Sequence, residues 1–122
     1  MVWIAFLQFV VIIIPRFTVG LVDLHALLGF IILGLAHYNC MQVRKSGAPN
    51  RLMRIAKATG LLATAQIVLG IVLFANLRLG MTVPFSQAIT IVHLIIALAI
   101  ITQASSLATA YDMWKEREFV TK

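Results

Sequence analysis

Polar side chains are rare in the long apolar stretches of this sequence, so each one found there is a candidate for chemistry. The main candidates among them are Gln8, His25, His37, Gln66, Thr90, His93 and Gln103. The histidines have the widest chemistry of this set, because a neutral imidazole can bind a metal through either ring nitrogen. The same stretches hold no Asp, Glu or Lys, the ionisable groups that proton-coupled pumps and exporters need inside a membrane. The pattern therefore favours ligand binding by histidine over transport.

The composition indicates which elements must position these side chains. Apolar residues make up 61% of the 122 residues and charged residues 11%, against about half and about a quarter in soluble domains. This balance, with Cys40 as the single cysteine, excludes a soluble enzyme, a disordered protein and a disulfide scaffold. A transmembrane helix needs about 20 apolar residues, which leaves room for four. We predict an all-α membrane protein, a four-transmembrane-helix bundle in one domain, with helices at residues 2–17, 24–43, 58–77 and 85–110 and a polar tail at 111–122.

Local signals set the limits of these helices. Pro15 and Gly20 separate the first helix from the second. Asp23 is the predicted N-cap of the second helix, since its carboxylate can accept hydrogen bonds from the free amides of a first turn. Pro84 and Ser86 mark the start of the fourth helix. The first helix has the fewest residues and barely spans a bilayer.

The positive charges predict the orientation and argue against nucleic acid as a partner. The net charge is +6, but the basic residues cluster at the ends of the apolar stretches, where they face anionic lipid headgroups. The second connection and the tail hold most of them: Arg44, Lys45, Arg51, Arg54, Lys57, Lys115, Arg117 and Lys122. The other connections hold only Arg16 and Arg78. The positive-inside rule then places both termini in the cytoplasm.

His25 and His93 are the strongest candidate pair. They lie on the second and fourth helices, on the same side of the membrane, which is what axial ligation of one six-coordinate haem iron requires. The pattern predicts a single haem b with both histidines as metal ligands. The predicted helix limits place His25 about 3–5 Å deep and His93 about 10–12 Å deep, a mismatch that shrinks if residues 85–87 lie outside the hydrocarbon or if the second helix begins near Leu21. The alternative is that each imidazole bonds a backbone carbonyl of a neighbouring helix.

The other polar candidates have simpler interpretations. His37 follows His25 by twelve residues and has no histidine partner at its depth on the fourth helix. We therefore expect an interfacial, structural role and no second haem. Gln66 needs a hydrogen-bond partner in the membrane, and an interhelical bond is favoured over contact with a cofactor or a quinone.

Small and basic residues near the histidines fit a cofactor site without requiring one. Gly29 and Ala97 follow His25 and His93 by four residues, so each lies one turn deeper on the same helix face. They either leave room for a flat macrocycle or allow close helix packing. Arg16 and Arg78 end the first and third helices on the histidine side, where each either pairs with a haem propionate or extends to the lipid headgroups.

The sequence resembles one four-helix half of haem A synthase. The resemblance lies in Thr59-Gly60-Leu61-Leu62, Gln66-Ile67-Val68-Leu69-Gly70 and Val92-His93-Leu94-Ile95-Ile96-Ala97. It implies a histidine near the start of the second helix and another on the fourth, where His25 and His93 stand. The family's glutamate and arginine around the first of these histidines are replaced by Val22 and Ala26, and its loop cysteine pair is absent. The resemblance therefore implies a haem-holding scaffold more than the family's oxidation chemistry, in a homodimer or with other membrane subunits.

Three functions remain open at this point. The first is a single-haem cytochrome that transfers electrons as a subunit of a respiratory or oxidase-type complex. The second is a minimal enzyme of haem A synthesis, an oxidoreductase in which Asp23 would replace the missing carboxylate. The third is a haem-free accessory subunit that packs within a larger membrane complex.

Overall fold

Four helices make up nearly all of the described chain. In this computed structural model, which describes residues 1–13, 19–80 and 84–120, they are α1 (Val2–Ile13), α2 (Val19–Lys45), α3 (Asn50–Arg78) and α4 (Ser86–Val120). Within the described ranges, α2, α3 and α4 are long and apolar enough to cross a membrane. This confirms the predicted all-helical class and indicates a lipid bilayer environment. α1 has 12 residues and extends about 18 Å, less than the hydrocarbon thickness of about 30 Å.

Three helices extend beyond the apolar stretches from which they were predicted. α2 begins at Val19, α3 begins at Asn50 and α4 continues to Val120. Helical hydrogen bonding does not stop where the hydrocarbon stops, and the added segments of α3 and α4 contain Lys, Arg and Glu, which are good helix formers. The prediction of Asp23 as an N-cap is therefore wrong, since this residue lies inside α2.

The turn between α2 and α3 folds these helices back on each other. The Ser46 hydroxyl donates a hydrogen bond to the carbonyl oxygen of Val43 at 2.9 Å. Gly47 follows with φ of 69°, a left-handed conformation that glycine adopts without a steric penalty. Pro49 then precedes the first turn of α3. The short connection makes α2 and α3 antiparallel neighbours.

The helices form a ring in which each packs against the next one in sequence. Among the described residues, backbone contacts join α1 to α2, α2 to α3, α3 to α4 and α4 back to α1. α2 and α4 therefore lie on one diagonal of the bundle. We call the end at which both of them begin the histidine end, and the opposite end, which carries the α2–α3 turn, the basic end.

The apolar core occupies the basic end and the middle of the bundle. At the basic end it consists of Val43, Leu52, Ala56 and Leu107. The middle layer contains Ala5, Ile32, Ala36, Ala63 and Ile100, and its alanines let the helix backbones approach closely. Beyond this layer, towards the histidine end, the interior contains polar side chains.

Candidate functional site

His25 and His93 lie at nearly equal depth in the bundle. His25 is six residues beyond the start of α2 and His93 is seven beyond the start of α4, so each lies about 9 to 11 Å along its helix. The expected mismatch in depth is wrong because α2 begins at Val19, five residues before the predicted start. The two histidines thus come from diagonal helices to one level.

The two imidazole rings lie beside each other inside the histidine end. Their centroids are 6.2 Å apart and their planes are inclined by 52°. His93 is buried, with 8% of its surface exposed, and His25 is half-buried. Among the predicted site residues that the structure describes, these two are the pair that the fold brings into direct juxtaposition.

Three buried polar atoms in the described part of the chain have no hydrogen-bond partner. They are Nδ1 of His25, Nδ1 of His93 and Oε1 of Gln66. Buried polar atoms in proteins are almost always hydrogen-bonded, so each exception requires a physical explanation. Because a neutral imidazole nitrogen and an amide oxygen can both bind metals or donors, an additional group bound beside each atom would satisfy it.

Gly70 on α3 faces the His93 ring. A Cβ atom at this position would lie 3.4 Å from Cε1 of His93, so a side chain larger than alanine would press on the imidazole. Gln66 lies one turn before Gly70 on the same face of α3. α3 therefore lies against the His93 ring at Gly70. It also carries the unpaired amide oxygen of Gln66, one turn closer to the middle of the bundle.

Gln8 on α1 contacts His25, a role that the sequence interpretation did not assign. Its Nε2 donates a hydrogen bond to the backbone oxygen of His25 at 3.2 Å and lies 3.4 Å from Nε2 of the ring. The available signal was the isolated amide in an otherwise apolar helix, which must find a partner in the bundle. Its partner could not be chosen without the packing of α1 on α2.

The two small residues predicted to border a cofactor have different surroundings. Gly29 is buried, and a Cβ atom there would lie 3.3 Å from both Nε2 of Gln8 and Cδ1 of Ile67. Its bare surface is therefore covered by side chains of α1 and α3, which agrees with the close-packing alternative. Ala97, one turn beyond His93, is half-buried.

Of the two arginines predicted near the histidines, the structure describes only Arg78. Arg78 forms an ion pair with Asp23, and its guanidinium lies 5.7 Å from the centroid of the Phe74 ring. Arg78 thus already contacts a carboxylate at the histidine end. Arg16 lies outside the residues that the structure describes.

His37 is remote from the pair. It lies eighteen positions after the start of α2, nearer the basic end, and its Nδ1 donates to the carbonyl oxygen of Leu33 in its own helix at 3.0 Å. The ring is exposed on the bundle surface. Residues 1–13, 19–80 and 84–120 contain no group of three or more His, Cys, Asp or Glu side chains that could hold a metal ion, so a metal at the histidine end would depend on the two imidazoles and its own additional ligands.

A cavity of about 270 Å³ lies at the basic end, between α1, α2 and α4. Its polar lining residues are Asn39, Gln42 and Tyr111. The amide of Gln42 donates to the Tyr38 hydroxyl at 2.6 Å, and that of Asn39 donates to the Met1 sulfur at 3.5 Å. Neither Gln66, the residue considered for a quinone, nor His37 lines this cavity.

No family model, curated protein or solved structure matches the chain. The resemblance to haem A synthase therefore stays a prediction from the sequence.

Proposed function

We propose that this chain is a membrane haem protein in which His25 and His93 are the axial ligands of one haem b, and that it transfers electrons as a subunit of a respiratory or oxidase-type complex. The observation that carries the proposal is the juxtaposition of two imidazoles from diagonal helices, each with a buried, unpaired Nδ1. A bound haem supplies reversible one-electron chemistry at its iron.

The spacing of the rings supports ligation of a single metal. An imidazole nitrogen lies about 2.0–2.1 Å from a bound zinc ion, so two rings that held one metal ion between them at that distance would have centroids about 6 Å apart. The measured separation is 6.2 Å. Packed rings without a metal also lie 4.5–7 Å apart, so the unpaired nitrogens carry more weight than the distance.

The protein's own residues would orient and enclose the cofactor. α2 and α4 present the imidazoles, and Gly70 leaves the space beside the His93 ring that a larger side chain would fill. The apolar middle layer excludes water from the side facing the basic end. If both histidines held the iron, the haem would supply electron transfer rather than oxygen activation.

The topology belongs to the same proposal. We place the basic end in the cytoplasm, with both termini there and α1 as a fourth membrane-embedded helix, because the described basic residues other than Arg78 lie at that end. Cysteine labelling tests this in a Cys40→Ala background. Ser46→Cys should react from the cytoplasmic side and Leu79→Cys from the opposite side, and the reverse result would contradict the orientation.

One second function has a specific observation in its favour. The Gln8 amide already contacts the His25 ring, and Gly29 is covered by Gln8 and Ile67, as expected of a haem-free accessory subunit. For the haem A synthase-like alternative, Asp23 would have to act while paired with Arg78. Homodimerisation or assembly with other membrane subunits is compatible with each function.

Two spectra of the purified full chain, after expression with haem supply, separate these functions. A pyridine haemochrome spectrum gives the haem b content per chain, and the absorption spectrum of the native protein gives the spin state. We expect about one haem b per chain with a low-spin spectrum. His25→Ala and His93→Ala should each abolish the low-spin signal, whereas the matched control His37→Ala should retain it. Absence of haem from the folded wild-type protein would favour the accessory subunit, and hydroxylated haem O after supply of haem O would favour the enzyme.

A further inference from the structure

Gln8 joins the short first helix to the candidate ligand His25. Its single amide nitrogen lies within hydrogen-bonding distance of two atoms on α2, the backbone oxygen of His25 at 3.2 Å and the ring Nε2 at 3.4 Å. Gly29, one turn further along α2, provides the room for this amide, since a Cβ atom there would lie 3.3 Å from Nε2 of Gln8.

The contact with the carbonyl determines the orientation of the amide. A carbonyl oxygen can only accept, so the NH₂ group of Gln8, and not its oxygen, must face His25. One of its two N–H groups serves the carbonyl and the other is available to the ring. The ring Nε2 can accept that hydrogen bond only when it carries no proton of its own. The neutral His25 imidazole is then protonated at Nδ1.

This arrangement leaves His25 without a free lone pair for a metal. The lone pair of Nε2 receives the Gln8 hydrogen bond, and Nδ1 carries the proton. Coordination through Nε2 requires the Gln8 amide to leave the ring, and coordination through Nδ1 moves the proton to Nε2, where the amide NH₂ can no longer donate. Both routes break the same hydrogen bond.

We propose that Gln8 is a positioning residue that holds His25 in a ligand-free state and must release its ring before a metal can bind. The inference rests on the proposed haem site, because it concerns the regulation of that site. Gln8 can keep its bond to the His25 carbonyl during release, so only the contact with the ring opposes metal binding. The position of α1 against α2 therefore determines whether the His25 ring is free to bind a metal.

The first test measures the tautomer in the haem-free full chain, independently of any cofactor. Nitrogen-15 NMR of histidine-labelled protein in lipid nanodiscs distinguishes protonated from unprotonated ring nitrogens. We expect the wild-type His25 to carry its proton on Nδ1, and Gln8→Met to populate both tautomers. A wild-type ring protonated at Nε2 would overturn the inference.

The second test measures binding of haem b to the same samples by the Soret absorbance. Loss of one hydrogen bond should make Gln8→Met bind haem about two- to tenfold more tightly. Gln8→Asn, whose shorter amide no longer reaches the ring, should behave in the same way and replaces Gln8→Met if that variant does not fold. Gln103→Met is the matched control on α4, about 15 Å along the helix from His93, and should bind like the wild type.

The outcomes separate this inference from the proposed function. Equal or weaker haem binding by both Gln8 variants would overturn the role of Gln8 while the haem site stands. A wild-type protein that binds no haem would overturn the proposed function, and the regulation of metal binding would fall with it. The tautomer result would then still decide whether Gln8 orients the His25 ring.

Discussion

Arg78 on α3 donates a hydrogen bond to the carboxylate of Asp23 on α2, across 55 positions in the sequence. The pair joins the last turn of α3 to the beginning of α2 at the histidine end. Asp23 is two residues before His25 on the same helix. The ion pair therefore links α3 to the segment of α2 that carries the candidate ligand His25.

Removal of this ion pair should have a small effect on stability. The side chains are 28% exposed for Arg78 and 59% exposed for Asp23, and exposed pairs contribute about 1 kcal/mol or less. A double-mutant cycle with Asp23→Asn and Arg78→Gln, measured by denaturation of the haem-free protein, should give a coupling free energy below about 1 kcal/mol. A coupling several times larger would mean that the pair is shielded from water and headgroups.

Enlarging Gly70 should disturb the site through His93. The Cβ atom of Gly70→Ala fits at ordinary contact distance, 3.4 Å from Cε1 of His93, so alanine should be tolerated. The branches of Gly70→Leu extend further and overpack the ring, which typically costs about 1–3 kcal/mol. A cost of about 1 kcal/mol, the lower end of that range, corresponds to about fivefold weaker binding. A haem titration should therefore show at least that loss.

Gly34 on α2 is the matched control for Gly70. A Cβ atom there meets nothing within 4 Å, so Gly34→Leu should bind haem as the wild type does. Equal loss of binding in both leucine variants would show that the effect comes from general destabilisation of the bundle and not from contact with His93.

Replacing Gln66 should stabilise the haem-free protein. Its Oε1 is buried without a partner among the described residues, and an unsatisfied polar atom costs about 1–3 kcal/mol. Gln66→Leu removes that atom at similar length, so the free energy of unfolding should rise by about 1 kcal/mol or more. Thermal denaturation in detergent can measure this. Destabilisation instead would show that a water molecule or a bound group satisfies the amide.

The sequence predicted the helices wherever a long apolar stretch marked them. The helical class and the three long apolar helices follow from the lack of water in the bilayer, which forces backbone groups to bond within a helix. Helix ends were harder to predict, because α3 begins in a charged segment and α2 begins at Val19, five residues before the start predicted from its hydropathy. That error displaced His25 in depth and made Asp23 a cap instead of half of an ion pair.

The candidate site could be predicted only in part, for a reason that Gln8 and Gly29 make clear. A polar residue in an apolar stretch signals that it needs a partner, but hydropathy contains no information about which helix supplies that partner. Gly29 was interpreted as a bare surface beside a macrocycle or as a packing position. Its neighbours in the structure, Gln8 and Ile67, come from two other helices.

The sequence by itself determined that this chain forms apolar helices and that two of them carry a histidine towards the same side of the membrane, because hydrophobicity and spacing are local properties. Only the tertiary structure decided that the rings of His25 and His93 lie 6.2 Å apart, that Gln8 contacts one of them and that Arg78 pairs with Asp23. These relationships depend on the rotation and depth of each helix within the four-helix bundle. Those two quantities are set by the packing of all four helices together, since no single helix contains them.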